Sequence, residues 1–113
     1  MLQEYQGDMV KQRLYISLPI SGVEKEAREK ADKLKIALSK QGYEVVSPFD
    51  IYAGKNPKYE DHICYDLRAL LDCDIVYFCQ GWERSCGCGI EHDAVMRMKA
   101  YCKKDFKLMY EPE

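Results

Sequence analysis

The segment from Gly81 to Ala94 holds the densest set of chemically reactive side chains in the sequence, reading Gly-Trp-Glu-Arg-Ser-Cys-Gly-Cys-Gly-Ile-Glu-His-Asp-Ala. It follows an apolar run, Asp74–Cys79, that is typical of a buried strand, and it leads into a run with helical spacing. Free backbone N–H groups at a helix start favour an anionic ligand group, and Gly87 and Gly89 allow close approach to the main chain. Glu91 is predicted in the first turn of this helix, where the helix dipole keeps a carboxylate ionised as a nucleophile or a base.

A second acid, Asp66, lies in the predicted second helix. It follows Ile63 by three residues and precedes Leu70 by four, so its carboxylate leaves the helix beside the apolar stripe. A charge in that position is costly unless it is paired, hydrogen-bonded or functional. His62, one turn earlier on the same side, is the structural alternative as its partner, and the spacing alone leaves both interpretations open.

The six cysteines are better explained as reduced thiols than as a disulfide framework, because several fall inside predicted strands and helices. Cys86, Cys88 and His92 together suggest a metal site. However, the pair lacks the usual two-residue spacer and no second ligand pair follows. We therefore predict packing roles and no metal, with thiol or metal chemistry as the lesser alternative.

The chain has 113 residues and a mass of 13.2 kDa, which suits one domain and excludes a bilobed enzyme. A formal net charge of -2 leaves no basic excess for binding nucleic-acid polymers. No apolar run approaches the roughly 18 residues of a membrane span, and the polar first residues contain no signal-peptide core. We expect a cytoplasmic protein without a membrane partner, in which residues 1–12 form a flexible arm.

Strand-like and helix-like patterns alternate along the rest of the chain. The predicted strands are Arg13–Leu18, Tyr43–Ser47, Asp74–Cys79 and Phe106–Tyr110. The predicted helices begin near Gly22 with a Ser21–Glu24 capping box, at Asn56-Pro57, and at Ile90, from which the third runs to Cys102. Their inward residues are Val23, Ala27, Ala31, Leu34 and Leu38; Tyr59, Ile63, Leu67, Leu70 and Leu71; and Ala94, Val95, Met98 and Tyr101 or Cys102. The segment Pro48–Lys58 is either a substrate-covering loop or a surface excursion.

This alternation predicts an α/β fold, a flavodoxin-like or Rossmann-like three-layer sandwich with a four-stranded parallel sheet in the order 2-1-3-4. Ligands bind such sheets at the carboxyl ends of the strands that flank the switch point. The segments Tyr15–Ser21 and Gly81–Glu91 meet there, with Asp66 nearby.

The predicted cleft combines two carboxylates, Asp66 and Glu91, with several hydroxyl groups. These come from Tyr15, Ser17, Ser21 and Ser85. The sequence has no nucleophile elbow, no phosphate-binding P-loop and no G-x-G-x-x-G after strand one. Paired carboxylates suit reactions at a carbon that becomes oxocarbenium-like, so glycosyl transfer fits these residues.

Three sets of residues resemble the nucleoside 2-deoxyribosyltransferase superfamily: Leu14–Ser17, Asp66-Leu67 and Ser85–Glu91. The spacing Ser-x-Gly-x-Gly-x-Glu is most similar to the 2'-deoxynucleoside 5'-phosphate N-hydrolases and to small uncharacterised bacterial and phage relatives that begin Tyr-Ile-Ser. The resemblance covers nearly the whole chain after residue 12. It implies one such domain over residues 13–113, cleavage of the N-glycosidic bond of a (deoxy)nucleoside 5'-monophosphate or nucleoside, and no cofactor.

The resemblance also implies roles for individual residues. Glu91 would attack C1' of the sugar, Tyr15 would orient Glu91, and Asp66 would bind the sugar or assist departure of the base. Ser85 stands where the hydrolase branch has a serine that contacts the 5'-phosphate, and a phosphate also suits Arg84 and the helix start.

The remaining predicted substrate contacts are Ser17, Ser21, Gly87 and Gly89. The chain departs from the hydrolase branch after strand one. There Leu18-Pro19-Ile20-Ser21-Gly22 replaces a glycine-rich, arginine-bearing turn, so Ser21 and backbone groups stand in for a phosphate-binding arginine. The resemblance further implies a homo-oligomer, a dimer or larger. A non-catalytic nucleotide-binding module on the same fold is the alternative function.

Overall fold

The computed structural model describes residues 11–113. Most of the predicted N-terminal arm, residues 1–10, lies outside this range. Gln12 lies inside it, and its carbonyl oxygen accepts a hydrogen bond of 2.9 Å from the Glu44 N–H.

Four strands and three helices alternate along the described chain. They are β1 (Arg13–Ser17), α1 (Glu24–Lys40), β2 (Glu44–Val46), α2 (Tyr59–Leu71), β3 (Ile75–Phe78), α3 (Cys86–Tyr101) and β4 (Lys107–Tyr110), with short 3-10 turns at Pro48–Asp50 and Trp82–Arg84. All strand pairs are parallel, and the sheet order is β2-β1-β3-β4. The predicted flavodoxin-like α/β fold is therefore confirmed.

The alternation of side chains along β1 builds the three layers. Leu14 and Ile16 point to one face of the sheet, where they pack against Ala27 and Ala31 of α1. Tyr15 points to the opposite face, into a second core cluster that includes Leu70 of α2 and Val95 of α3. Helix α1 thus covers one face, and α2 and α3 cover the other.

Strands β1 and β3 end side by side, because Ser17 pairs with Phe78 in the parallel register. The chain then diverges, to a turn before α1 on one side and to the loop before α3 on the other. This divergence is the switch point of the sheet, where the sequence predicts the site.

Helices α1 and α2 begin later in the chain than predicted. Helix α1 has Val23 as its N-cap with no side-chain cap, and the Gly22 N–H donates to Glu24 Oε2 over 3.1 Å. Gly22 has a left-handed φ of 84°, so the turn at Ser21-Gly22 separates the Ser21 hydroxyl from the helix and no capping box forms there. Helix α2 starts at Tyr59 because Asn56 also has a positive φ, of 52°, which a helix cannot include.

Several residues predicted to face the core lie at helix ends and are exposed. Val23 is 44% exposed, Tyr59 is 49% exposed, and Tyr101 is 79% exposed, while Cys102 is exposed as well. Each occupies the first or last position of its helix, or the position just outside it. No helix within residues 11–113 is both long and apolar enough to cross a lipid bilayer.

Candidate active site

Helix α3 begins at Cys86, four residues earlier than predicted, so the glycine-bearing segment is its first turn and not a loop. Ser85 is the N-cap residue, and its Oγ accepts a hydrogen bond of 3.3 Å from the Cys88 N–H. Glu91 therefore lies in the second turn of the helix, and its predicted place in the first turn is wrong. The extended start arises because Ser85 caps the helix despite the low helix propensity of Gly87 and Gly89.

The Glu91 carboxylate is buried between α3 and strand β1. Its Oε2 accepts a hydrogen bond of 2.7 Å from the Tyr15 hydroxyl, and its Oε1 accepts one of 2.7 Å from the Ser17 hydroxyl. Glu91 is 5% exposed, and both hydroxyl donors are fully buried. Because Tyr15 and Ser17 lie two apart on β1, they point to the same face of the sheet and hold one oxygen each.

Burial raises the pKa of Glu91 from 4.5 to about 7, even though the hydrogen bonds from Ser17 and Tyr15 lower it. The nearby Asp66 carboxylate raises it further by charge repulsion. The expectation that the helix dipole keeps Glu91 fully ionised is therefore wrong. The second turn is too far from the helix end for the dipole to offset the desolvation of the carboxylate.

Asp66 is half-buried on α2, on the side that faces Glu91 and Tyr15. Burial raises its pKa from 3.8 to about 6, and the exposed His62 lowers it by charge attraction. The charge of Asp66 also raises the pKa of Tyr15, although burial of the phenol has a larger effect. The structure thus brings Asp66, Glu91 and Tyr15 together.

A cleft of about 440 Å³ opens at the switch point above this buried group. Its walls come from the turn after β1, the loop after β3 and the start of α2. Ser21, Arg84 and Ser85 line it together with Tyr59. Arg84 is the one charged residue among those lining this cleft, so the cleft favours an anionic group. Glu91 and Ser17 are not among the residues that line it.

The two glycines of the first helical turn have different surroundings. A Cβ built on Gly87 would lie 3.4 Å from the Tyr59 hydroxyl and 3.5 Å from Ile63 Cδ1, which is ordinary packing. A Cβ built on Gly89 would meet nothing within 4 Å. Packing within the chain therefore does not require a glycine at position 89, although glycine destabilises a helix.

An aromatic cluster that no sequence pattern predicts lies beside the site. His92 stacks on Trp82 with ring centroids 4.1 Å apart, and its Nε2 lies 2.9 Å from the Tyr110 hydroxyl. Phe78 closes the cluster from strand β3. These residues come from four separate segments, so no spacing in the sequence reveals that they meet.

The segment Pro48–Lys58 does not line the cleft. Its first part forms a capped 3-10 turn, in which the Ser47 hydroxyl accepts from the Phe49 N–H over 3.1 Å. Asp50 pairs with Lys35 of α1 over 2.8 Å, and Ala53 is buried. These contacts fit the interpretation of the segment as a surface excursion, and its role as a substrate cover stays a prediction.

The cysteine side chains of the motif are separated from each other. Cys86 is exposed whereas Cys88 is buried, and within residues 11–113 no three His, Cys, Asp or Glu side chains are grouped so that they could hold a metal ion. All six cysteines are free thiols. Burial raises the pKa of Cys88, which leaves this thiol protonated and poorly reactive.

A family model described as a domain of unknown function, DUF4406, matches residues 12–103. The chain belongs to the DUF4406 family. No curated protein matches the sequence. The DUF4406 match includes Tyr15, Ser17, Asp66 and the whole of Ser85–Glu91, and it ends before strand β4. The Glu91 carboxylate, its two hydrogen-bond donors and Asp66 therefore all lie in the part of the chain that the family model matches.

Proposed function

We propose that this protein is an N-glycosidase or deoxyribosyltransferase that cleaves the N-glycosidic bond of a (deoxy)nucleoside 5'-monophosphate or a nucleoside. The observation that carries the proposal is the buried Glu91 carboxylate, held by Tyr15 and Ser17 at 2.7 Å each with Asp66 beside it. Burying an acid at this position destabilises the fold, and apolar side chains would fill the space at lower cost. A group that destabilises the fold and is nevertheless held in one orientation is typical of an active site.

The two carboxylates suit the two halves of the reaction. In the ionised state, a Glu91 oxygen attacks C1' of the sugar while the bond from C1' to the base nitrogen breaks. The electron pair of that bond leaves with the base, which takes a proton from Asp66. Water or a second base then attacks C1' and gives up its proton to the Asp66 carboxylate, while the bond from C1' to Glu91 breaks, giving hydrolysis or transfer respectively.

The raised pKa values place both acids close to the pH at which such chemistry runs. With a pKa near 7, Glu91 loses its proton readily at neutral pH but is a stronger nucleophile than an ordinary glutamate. Asp66, with a pKa near 6, is mostly ionised at neutral pH, and the minority of molecules in which it is protonated can donate that proton to the departing base.

The cleft supports recognition of a phosphate on the substrate. Arg84 supplies a positive charge, and Ser21 and Ser85 supply hydroxyl groups to the same cleft. The unpaired N–H groups at the start of α3 add donors beside Gly87, and the open space at Gly89 leaves the main chain accessible. These features favour a nucleotide over a free nucleoside.

A second candidate function is a non-catalytic nucleotide-binding module. It is favoured by the 5% exposure of Glu91 and by the absence of Glu91 from the lining of the 440 Å³ cleft. A module of this kind binds nucleotides, and thus gains thermal stability from them, without releasing a base.

The proposal extends to the setting of the enzyme. We expect it to act in the cytoplasm on small molecules, without a cofactor, as a dimer or larger assembly in which a neighbouring copy completes the site. Exposed apolar side chains on α3, Ile90 and Met96, are compatible with such an assembly.

Release of free base from a panel of deoxynucleoside monophosphates and nucleosides tests the proposal. The wild-type protein should release a base from at least one member of the panel, and Glu91→Gln should not. Glu83→Gln is the matched control, because Glu83 is an exposed glutamate eight residues earlier and should tolerate the same change. Stabilisation by nucleotides without any release would favour the binding module, and equal release by wild type and Glu91→Gln would overturn the proposed role of Glu91.

A further inference from the structure

Tyr59, the first residue of α2, contributes its side chain to the wall of the cleft. The residue is 49% exposed and lines the 440 Å³ cleft from a different element than Arg84 and Ser85. Tyr65 on the same helix is equally exposed but is not among the residues that line this cleft.

The hydroxyl end of Tyr59 lies over the first turn of α3, 3.4 Å from where a Cβ of residue 87 would be. Burial and the neighbouring Cys86 thiol raise the pKa of the phenol, so it stays neutral in the cleft. The rest of the half-exposed side chain forms part of the cleft wall, where a planar ligand group can stack on it.

Tyr59 and Arg84 line the same cleft from two different elements, the start of α2 and the loop before α3. Gly87 lies beneath the Tyr59 hydroxyl, and Glu91 follows one turn later on α3, about 6 Å along the helix axis. A ligand in the cleft that carries both a planar group and an anionic group can therefore contact Tyr59 and Arg84 together.

We infer that Tyr59 is the surface on which the aromatic base of the substrate stacks. This inference rests on the proposed function and extends it, because it assigns the base-binding side of the cleft to the first residue of α2. Stacking on a phenol ring is tolerant of base identity, since every base has a π face. The site should therefore accept several bases and discriminate against sugar phosphates that lack one.

Equilibrium binding tests the inference without relying on turnover. Affinities for a deoxynucleoside monophosphate and for 2-deoxyribose 5-phosphate are measured by calorimetry in the Glu91→Gln background, which retains the substrate. Tyr59→Leu should weaken nucleotide binding by at least about fivefold, the effect of losing one stacked base, and leave sugar phosphate binding unchanged. Tyr59→Phe should bind like the parent, because it keeps the ring.

Tyr65→Leu is the matched control. Tyr65 lies on the same helix, is also 49% exposed, and is not among the residues that line the cleft. Equal effects of Tyr59→Leu and Tyr65→Leu, an equal loss of sugar phosphate binding, or no nucleotide binding by the parent would each overturn the inference. Base release by the wild type with unchanged binding in Tyr59→Leu would overturn it while leaving the proposed function intact. Weaker nucleotide binding by Tyr59→Leu, together with no base release by the wild type, would support the inference and overturn the proposed function.

Discussion

One face of strand β1 packs apolar side chains against helix α1, whereas the other presents two hydroxyl groups to a carboxylate of helix α3. On the α1 face, Leu14 and Ile16 are fully buried among apolar neighbours. On the α3 face, Tyr15 and Ser17 are equally buried, but they hold Glu91. Both faces are closed to water, so the difference between them lies in chemistry and not in burial.

The apolar side chains on the α1 face stabilise the fold, whereas the Glu91 carboxylate on the α3 face destabilises it. Burial of the apolar side chains of the α1 face stabilises the folded state in proportion to their area. On the α3 face, desolvation of Glu91 opposes folding, and two hydrogen bonds recover only part of that cost, as its raised pKa indicates. Both faces have an apolar core cluster that stabilises the fold, and we interpret the polar group that lies beside the cluster on the α3 face as the site of chemistry.

The largest effect is expected on the apolar face. Ile16→Ala should lower the free energy of unfolding by about 2–5 kcal/mol, because it leaves a cavity in a fully buried cluster. Chemical denaturation measures this change. Ser17→Ala, at the next position but on the other face of the sheet, is the control. At acidic pH, where Glu91 is protonated, it should lower the free energy of unfolding less than Ile16→Ala does. A smaller loss for Ile16→Ala than for Ser17→Ala at that pH would contradict the comparison.

The second effect is the dependence of stability on pH. The folded-state pKa of Glu91, about 7, is above its ordinary value of 4.5, so the folded state binds this proton more tightly. The resulting stabilisation is present at low pH, falls as the pH rises from about 4.5 to about 7, and is absent above that, for a total of about 3 kcal/mol. Asp66 acts in the same direction between its ordinary 3.8 and about 6.

Denaturation at a series of pH values measures this loss, and Glu91→Gln is its control. The variant cannot ionise at position 91, so the part of the loss that belongs to Glu91 should disappear from its profile. Parallel profiles for the wild type and the variant would mean that the Glu91 carboxylate is no more desolvated than an exposed acid.

The smallest effect concerns the first turn of α3. Gly89→Ala should raise the free energy of unfolding by about 0.5–1 kcal/mol, because alanine is the better helix former and meets nothing within 4 Å. Thermal melting measures this gain. If the main chain at position 89 is needed by a ligand, the same variant should bind nucleotide more weakly despite its greater stability. A destabilised Gly89→Ala would show that the turn is already filled.

The sequence predicts the fold well because its main evidence is local. The continuous buried run along β1 and the helical stripe that contains Ala27, Ala31 and Leu38 are local patterns, so the strand order and layers follow from them by general rules. Helix boundaries are predicted less well. At Gly22 and Asn56, positive φ values override the capping pattern, and at Ser85 a single hydroxyl extends a helix through two glycines.

The site is predictable only in part. The sequence predicts that Tyr15, Asp66 and Glu91 lie near one another at one end of the sheet, because the predicted strand order places the segments that follow β1 and β3 side by side. It cannot give the protonation of Glu91, since that depends on how completely three other elements exclude water. Nor can it give the exposure of Tyr59, which depends on where α2 begins relative to the cleft.

The most direct test of the central claim is to measure unfolding free energy and base release on the same preparation of Glu91→Gln, at about pH 8, where the wild-type carboxylate is ionised. If Glu91 serves catalysis at a cost in stability, the variant should be more stable than the wild type and should release base at least about a thousandfold more slowly. A variant that is less stable than the wild type, or that releases base within about tenfold of its rate, would contradict the account.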